Sequence, residues 1–281
     1  MAHERIPNVL SIAGSDPSGG AGVQADLKTF SALGAYGMCA LTALTAQNTT
    51  GVRGVSGVDP GFLRDQIETV FDDVRTDAVK IGMVGSAASV KAVADCLERY
   101  RPAVVVVDPV MVAKSGDRLI DDAAVAALQD RLLPLASLIT PNLPETAVLL
   151  GERDAPATAD AMRDAGMRLL GSGARAVLVK GGHLDGEAIT DLLCEPTGTR
   201  TYGGARVVTA NTHGTGCTLS SAIAALAPAS ASMADAVDAA RRYLLMALGA
   251  ADRLSVGHGC GPVHHFADAW ADDPARRWLS P

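Results

Sequence analysis

The chain has 281 residues, 48% hydrophobic and 20% charged, which is the composition of an ordinary globular protein long enough to bury a substantial core. Its net charge of −7 argues against a general nucleic-acid or membrane-surface binder. Five scattered cysteines form neither a disulfide framework nor a C-x-x-C metal site, and the N-terminus lacks the basic and apolar regions of a signal peptide. No apolar run reaches the roughly 18 residues of a membrane span, so the cytoplasm is the expected compartment.

In chain order, strands and helices are predicted to alternate. Asn8–Ala13 reads as a strand, followed by Gly-rich Gly14–Gly22 and a helix with Val23, Leu27, Phe30 and Leu33 on one face. One strand is expected over Tyr36–Ala46 and an edge strand over Val52–Val58. A helix over Phe62–Val74 precedes strand Ala78–Gly82 and helix Ser89–Tyr100. The strand Ala103–Asp108 contains four consecutive valines, the pattern of a strand buried on both faces of a parallel sheet. Then come a helix within Ala123–Leu133, strand Ser137–Thr140, helices Glu145–Leu150 and Ala159–Leu170, and strand Ala176–Lys180. A pair of strands, Ala188–Cys194 and Arg206–Thr209, precedes a helix after Gly216 and another over Met233–Leu248. Repeated β-α-β units with short links imply an α/β fold, a central and mostly parallel sheet covered by helices on both faces, in one domain.

Ligands of such sheets bind beyond the carboxyl ends of the strands. The residues there are Gly14-Ser15-Asp16, Gln47-Asn48, Gly82-Met83, Asp108 to Met111, Asn142 with Glu145, Lys180 to His183, and Asn211 to Thr218. The last stretch combines two glycines with the start of a helix, whose unpaired N–H groups and positive dipole end suit a phosphate. Cys217 falls in that first turn, where the same field favours a thiolate; the plainer reading is a small core residue.

Two other classes compete. Gly20-Ala21-Gly22-Val23-Gln24-Ala25 fits G-x-G-x-x-A, a dinucleotide signature, but the acid required about 20 residues later is missing from Leu41–Gln47. No Walker A loop exists, since no Gly-rich run is followed by G-K-[ST]. A non-catalytic binding protein of the same fold would keep the pocket but would not need Asp108, Glu145 or Lys180.

Ser11 to Gly22 with Gln24 to Thr29, Asp108 to Val112, Thr140 to Glu145, Lys180 to His183, His213 to Thr218 and Gly257 to Phe266 occur in the order seen in a known family. Over about residues 8 to 266 the chain resembles the hydroxymethylpyrimidine and phosphomethylpyrimidine kinases of thiamine biosynthesis, in the ribokinase-like superfamily. Cysteine at position 217, where most of that superfamily carries Asp, is typical of the pyrimidine branch and of some pyridoxal-type kinases. The resemblance implies two transfers from ATP with Mg²⁺: to the hydroxymethyl group of 4-amino-5-hydroxymethyl-2-methylpyrimidine, then to the monophosphate. A pyridoxal or pyridoxine kinase of the same fold is the alternative, and a homodimer is expected.

The resemblance also distributes roles. Gln47 would read the aminopyrimidine edge, its amide offering a donor and an acceptor; otherwise it is a strand-end residue bonded to backbone. Asp26 would bind substrate, unless it is a solvated mid-helix carboxylate beside Lys28. Gly14, Met83 and Val110 would line the pocket, Met83 serving equally as core. Asp108 and Glu145 would hold Mg²⁺ through water, or else start a turn and support a helix. Lys180 would neutralise phosphate charge, and His213, Gly214, Thr215, Gly216 and Asn142 would form the anion hole and ATP site, unless His213 only shapes its loop. A thiolate at Cys217 would accept the alcohol's proton in the first step, whereas the second, with a phosphate nucleophile, would need little base.

Overall fold

Val104–Val107 forms the strand that its four valines predict, and three of them are almost or fully buried. It lies at the middle of an eight-stranded sheet in a computed structural model that describes residues 5–111, 120–182, 186 and 188–270. In chain order the strands are β1 (Asn8–Ala13), β2 (Tyr36–Leu41), β3 (Ala43–Asn48), β4 (Gly51–Gly57), β5 (Ala78–Ile81), β6 (Val104–Val107), β7 (Leu138–Ile139), β8 (Val177–Val179), β9 (Ala188–Glu195) and β10 (Gly198–Ala205). The large sheet runs β10-β9-β8-β7-β6-β5-β1-β2, parallel from β2 through β8, with the β9–β10 hairpin adding two antiparallel pairings. The chain steps outward from β1 to β2 and then returns to place β5 on the other side of β1. That reversal opens a crevice at the carboxyl ends of β1 and β5.

Eight α-helices are found among the described residues: α1 (Gly22–Ala32), α2 (Pro60–Asp73), α3 (Ala87–Tyr100), α4 (Asp122–Ala127), α5 (Leu143–Leu150), α6 (Ala159–Leu170), α7 (Thr215–Leu226) and α8 (Met233–Gly249). Side chains from α2 to α6 share one hydrophobic cluster with one face of the sheet; those from α1, α7 and α8 share a second with the opposite face. Both faces are therefore covered, as alternating strands and helices require. Start signals are local: Asp59, Ser86, Asp121, Thr158 and Ser232 each accept a backbone N–H at the head of α2, α3, α4, α6 and α8.

Three expectations are corrected. Tyr36–Ala46 is two strands, because the chain leaves the large sheet at Thr42, whose buried hydroxyl donates to the Met83 carbonyl at 2.7 Å. Its second half, β3, pairs only with β4 in a separate antiparallel hairpin, so residues 52–58 edge that hairpin instead of the large sheet. The partner of β9 is β10, with Arg206–Thr209 irregular. Six of the eight β10 residues are exposed, so burial left no apolar period to read there. The helix within Ala123–Leu133 is only α4 followed by a wider turn over Leu128–Leu132 and a tight turn containing Pro134, which cannot continue an α-helix.

Candidate active site

A cleft of about 880 Å³ lies over the carboxyl ends of the strands. Gly14, Gln47, Met83, Asp108, Val110, Asn142, Glu145, Lys180 and the run His213–Cys217 all line it. Sequence reasoning thus assembled one site from seven separate segments. Val112 and His183, which belong to two of the motifs, and His3 lie outside the described residues.

The anion loop owes its shape to glycine. Gly214 caps α7 with φ 77°, and no side chain among the described residues caps that helix. Gly214, Thr215, Gly216 and Cys217 at the head of α7 line the cleft, the Thr215 N–H also reaching the Thr212 carbonyl at 3.4 Å. A side chain at Gly214 would also strike the carbonyl of Gly20, so the anion loop and the β1–α1 loop touch backbone to backbone. His213 joins them as well: its Nε2 lies 2.8 Å from Asp16 Oδ2.

Asp16 is the organiser of the β1–α1 loop. It accepts N–H bonds from Ser18, Gly20 and Ala21 and a hydroxyl from Ser18. Burial opposes its charge, but the bonds from His213 and Ser18 outweigh that and hold the carboxyl at about 2. Its role was legible only as a polar residue at a strand end; its partner His213 comes from 197 residues away.

Asp108 and Lys180 form an ion pair in the lining of the cleft. Lys180 Nζ lies 2.8 Å from Asp108 Oδ1, and Thr140 and Ser220 also donate to that carboxylate. Burial works against the Asp108 charge, yet Lys180 and Lys80 keep it below the ordinary carboxylate range. Burial likewise opposes the Lys180 charge, and Asp108 and Glu145 more than restore it. Glu145 sits beside them and does two jobs. Its Oε2 accepts the Asn142 N–H at 2.8 Å while Asn142 Oδ1 accepts the Glu145 N–H at 2.9 Å, a capping box that fixes the start of α5. Burial pushes its carboxyl up to about 7, Lys180 opposing and Asp108 adding.

Gln47 reaches the cleft from β3. An extra residue on β4, Arg53, shifts the pairing register between Ala46 and Gln47. Thr45 and Gln47 are half-buried on the inner side of the hairpin, whereas Leu44, Ala46 and Asn48 are exposed. Met83 closes against Gly14, where any side chain would meet its methyl group.

Two expectations fail here. Asp26 does not line the cleft and is not solvated. It is fully buried, receives Lys80 on both oxygens at 2.9 Å, and takes hydroxyls from Ser11 and Ser221. Lys80 is the residue that reaches the cleft, at the junction of β1 and β5. A charged residue inside the apolar strand Ala78-Val79-Lys80-Ile81 was the signal for it. The thiolate expected at Cys217 is disfavoured: burial pushes its thiol up to about 11, against the pull of Lys80 and with Asp26 and Asp108 adding to the rise. The field of the helix terminus is offset by removal from water.

Among the described residues no group of three or more His, Cys, Asp or Glu side chains forms a metal cage. Two carboxyl groups beside a lysine suit instead a hard cation that keeps most of its water and phosphate ligands, as Mg²⁺ does. Farther along, Leu244, Leu245, Leu248, Val208 and Ile189 give the cleft an apolar end, beside an Arg241–Asp191 ion pair of 2.8 Å.

An apolar slot, an anion loop and a lysine–carboxylate floor at one end of a mostly parallel sheet are the parts of a small-molecule kinase. Residues 16–264 match the family model described as phosphomethylpyrimidine kinase. The chain is 56% identical over 265 residues to the hydroxymethylpyrimidine/phosphomethylpyrimidine kinase of Escherichia coli strain K12, covering 94% of this chain and 98% of that one. A crystal structure of phosphomethylpyrimidine kinase from Clostridium difficile 630 superposes with a TM-score of 0.76 at 42% identity, over 87% of this chain and 100% of that one. An ADP complex of Bacillus subtilis pyridoxal kinase gives a TM-score of 0.86 at 34% identity, over 94% and 98%. This chain belongs to the phosphomethylpyrimidine kinase family, and its fold is ribokinase-like.

Proposed function

We propose that the protein transfers phosphoryl groups from ATP to 4-amino-5-hydroxymethyl-2-methylpyrimidine and then to the resulting monophosphate, supplying the diphosphate for thiamine biosynthesis. The observation that carries this reading is the cleft itself, which Gln47, a set of apolar side chains and the anion loop with Asp108 and Lys180 line together. Family membership and the identity to the Escherichia coli kinase support the pyrimidine over the pyridoxal reading.

In this reading the Gln47 amide pairs with the ring edge, with Gly14, Met83 and Val110 around the ring. Asp108 and Glu145 would hold Mg²⁺ through water, which would supply positive charge against the phosphates there. Lys180 adds a point charge, and the N–H groups of Gly214, Thr215 and Gly216 receive the charge that builds on the transferring group, with His213 holding their loop. The start of α5 at Asn142 borders the nucleotide. Cys217 lies at the head of α7 where transfer would occur, with a protonated thiol in the free protein.

Among the described residues no helix is long and apolar enough to cross a membrane, and a cytoplasmic, ATP-rich location fits the reaction. Two copies paired through Tyr36 on β2 and Leu44 and Val55 on the hairpin would cover three exposed apolar side chains; sizing in solution tests this. The main test is an assay of the purified protein with ATP, Mg²⁺ and a panel of hydroxymethyl pyrimidines and pyridines, pyridoxal included, with products separated by mass. Formation of both the mono- and diphosphate of the pyrimidine is expected. Tight pyrimidine binding without ATP consumption would mean a binding protein, and faster turnover of pyridoxal would reverse the substrate assignment.

A further inference from the structure

The tail Gly257-His258-Gly259-Cys260-Gly261-Pro262 places glycine at every second residue, and neither phosphate nor pyrimidine recognition calls for that spacing. The structure supplies a reason. A side chain at Gly257 would collide with the side chain of Thr49, one at Gly259 with the Thr49 carbonyl, and one at Gly261 with the side chain of Asn211. Three glycines in alternation thus let one bent segment lie against two different parts of the chain at backbone distance.

Hydrogen bonds fasten both ends. The Cys260 N–H donates to the Thr49 carbonyl at 2.9 Å, and the Gly259 N–H donates to Thr49 Oγ1 at 3.2 Å. At the other end the His213 N–H donates to the Gly261 carbonyl at 2.9 Å, where His213 and Pro262 form an isolated parallel bridge. Residues 257–262 are therefore a strap from the tip of the β3–β4 hairpin to the anion loop.

The hairpin has a second anchor at its base. Thr45 donates its hydroxyl to the Ser15 carbonyl at 2.8 Å and its N–H to Ser15 Oγ at 3.2 Å. Gln47 lies midway between the two anchors, Thr45 and Thr49. Without the strap the tip of the hairpin would be held by β4 alone, and two-stranded hairpins are marginally stable by themselves.

We infer that this strap is a positioning element: through Gly259, Gly261 and Thr49 it holds the acceptor-binding hairpin in fixed relation to the phosphate-binding loop. The inference rests on the proposed reading of the hairpin as the acceptor side. In-line transfer needs both substrates placed together, and a misplacement of about 1 Å can cost roughly a hundredfold in rate. The strap links the two placements, so a disturbance at one end is felt at the other.

The test uses variants that alter one end only. Gly259→Ala presses on Thr49, at the hairpin; Gly261→Ala presses on the Asn211 side chain, at the anion loop. After confirming by thermal melting that each is folded, KM is measured for both substrates. Gly259→Ala is expected to raise KM for ATP threefold or more, and Gly261→Ala to raise KM for the pyrimidine threefold or more. Adding Asn211→Ala removes the atoms that Gly261→Ala strikes, so the double variant should return to the pyrimidine KM of Asn211→Ala alone. Changes confined to the near substrate, or no rescue in the double variant, would overturn the strap. A wrong acceptor assignment shows differently, as no turnover of the pyrimidine by the unaltered protein. Direct titration with ATP then decides the strap, which requires Gly259→Ala to weaken ATP binding threefold and is refuted by unchanged affinity.

Discussion

The Lys80 ammonium lies 2.9 Å from both carboxylate oxygens of Asp26, and neither side chain is exposed at all. Asp26 comes from α1 and Lys80 from β5, so the pair pins a helix to the strand at the switch in topology. Burial works against the lysine's charge, but Asp26 and Asp108 hold it above the ordinary lysine range. Removing one partner leaves a buried charge without compensation, which typically costs about 3–5 kcal/mol.

Asp26→Asn is therefore expected to lower unfolding free energy by about 3 kcal/mol or more in urea titrations. Combining it with Lys80→Met should lose clearly less than the sum of the two single losses, because the second change removes the orphaned charge. Strict additivity would show that the two groups do not depend on each other.

Asp16 gives a pH signature. Its carboxyl sits at about 2 in the folded protein against an ordinary 3.8, so the folded state holds the charged form more strongly. The resulting stability is fully present above the ordinary value and is lost as pH falls from there through the folded value. A shift of that size corresponds to about 2 kcal/mol. Asp16→Asn should be less stable than the unaltered protein by about that much at pH 6, and the gap should narrow steadily between pH 4 and pH 3. A gap independent of pH would assign the loss to packing alone.

Gln47→Leu leaves polar groups of the acceptor ring unpaired, at about 1–3 kcal/mol each. The kcat/KM for the pyrimidine should fall roughly tenfold or more. KM for ATP should hold, because the hairpin backbone stays fastened at Thr45 and Thr49. An unchanged kcat/KM for the pyrimidine would remove Gln47 from the acceptor site.

Cys217 is tested by timing the two transfers separately, starting the second from supplied monophosphate. Burial pushes its thiol up to about 11, which disfavours the thiolate near neutral pH. Phosphoryl transfer is loose and asks little of its nucleophile. Cys217→Ala is therefore expected to slow both steps by similar factors, as loss of a cleft-shaping residue would. A loss confined to the first step, with a rate in the unaltered protein that climbs about tenfold per pH unit into the alkaline range, would make the thiolate the base after all.

The sequence by itself determined the alternation of strands and helices, because burial on a parallel sheet imposes patterns that read locally: four valines in β6, one-faced apolar spacing in α1, caps ahead of α2 and α6. It also placed most of the cleft, since loops at the carboxyl ends of parallel strands converge whatever else the chain does. Where local pattern carries no information, only the tertiary structure decided. The break at Thr42 depends on the Met83 carbonyl, 41 residues away. Asp26 looked like a surface or substrate carboxylate until α1 packed it onto Lys80, and Cys217 looked like a thiolate until burial outweighed the field of its helix. The glycines at 257, 259 and 261 formed a motif without a purpose until Thr49 and Asn211 stood against them. Helix and strand periods arise from neighbours in sequence, whereas ionisation and close backbone approach arise from neighbours in space.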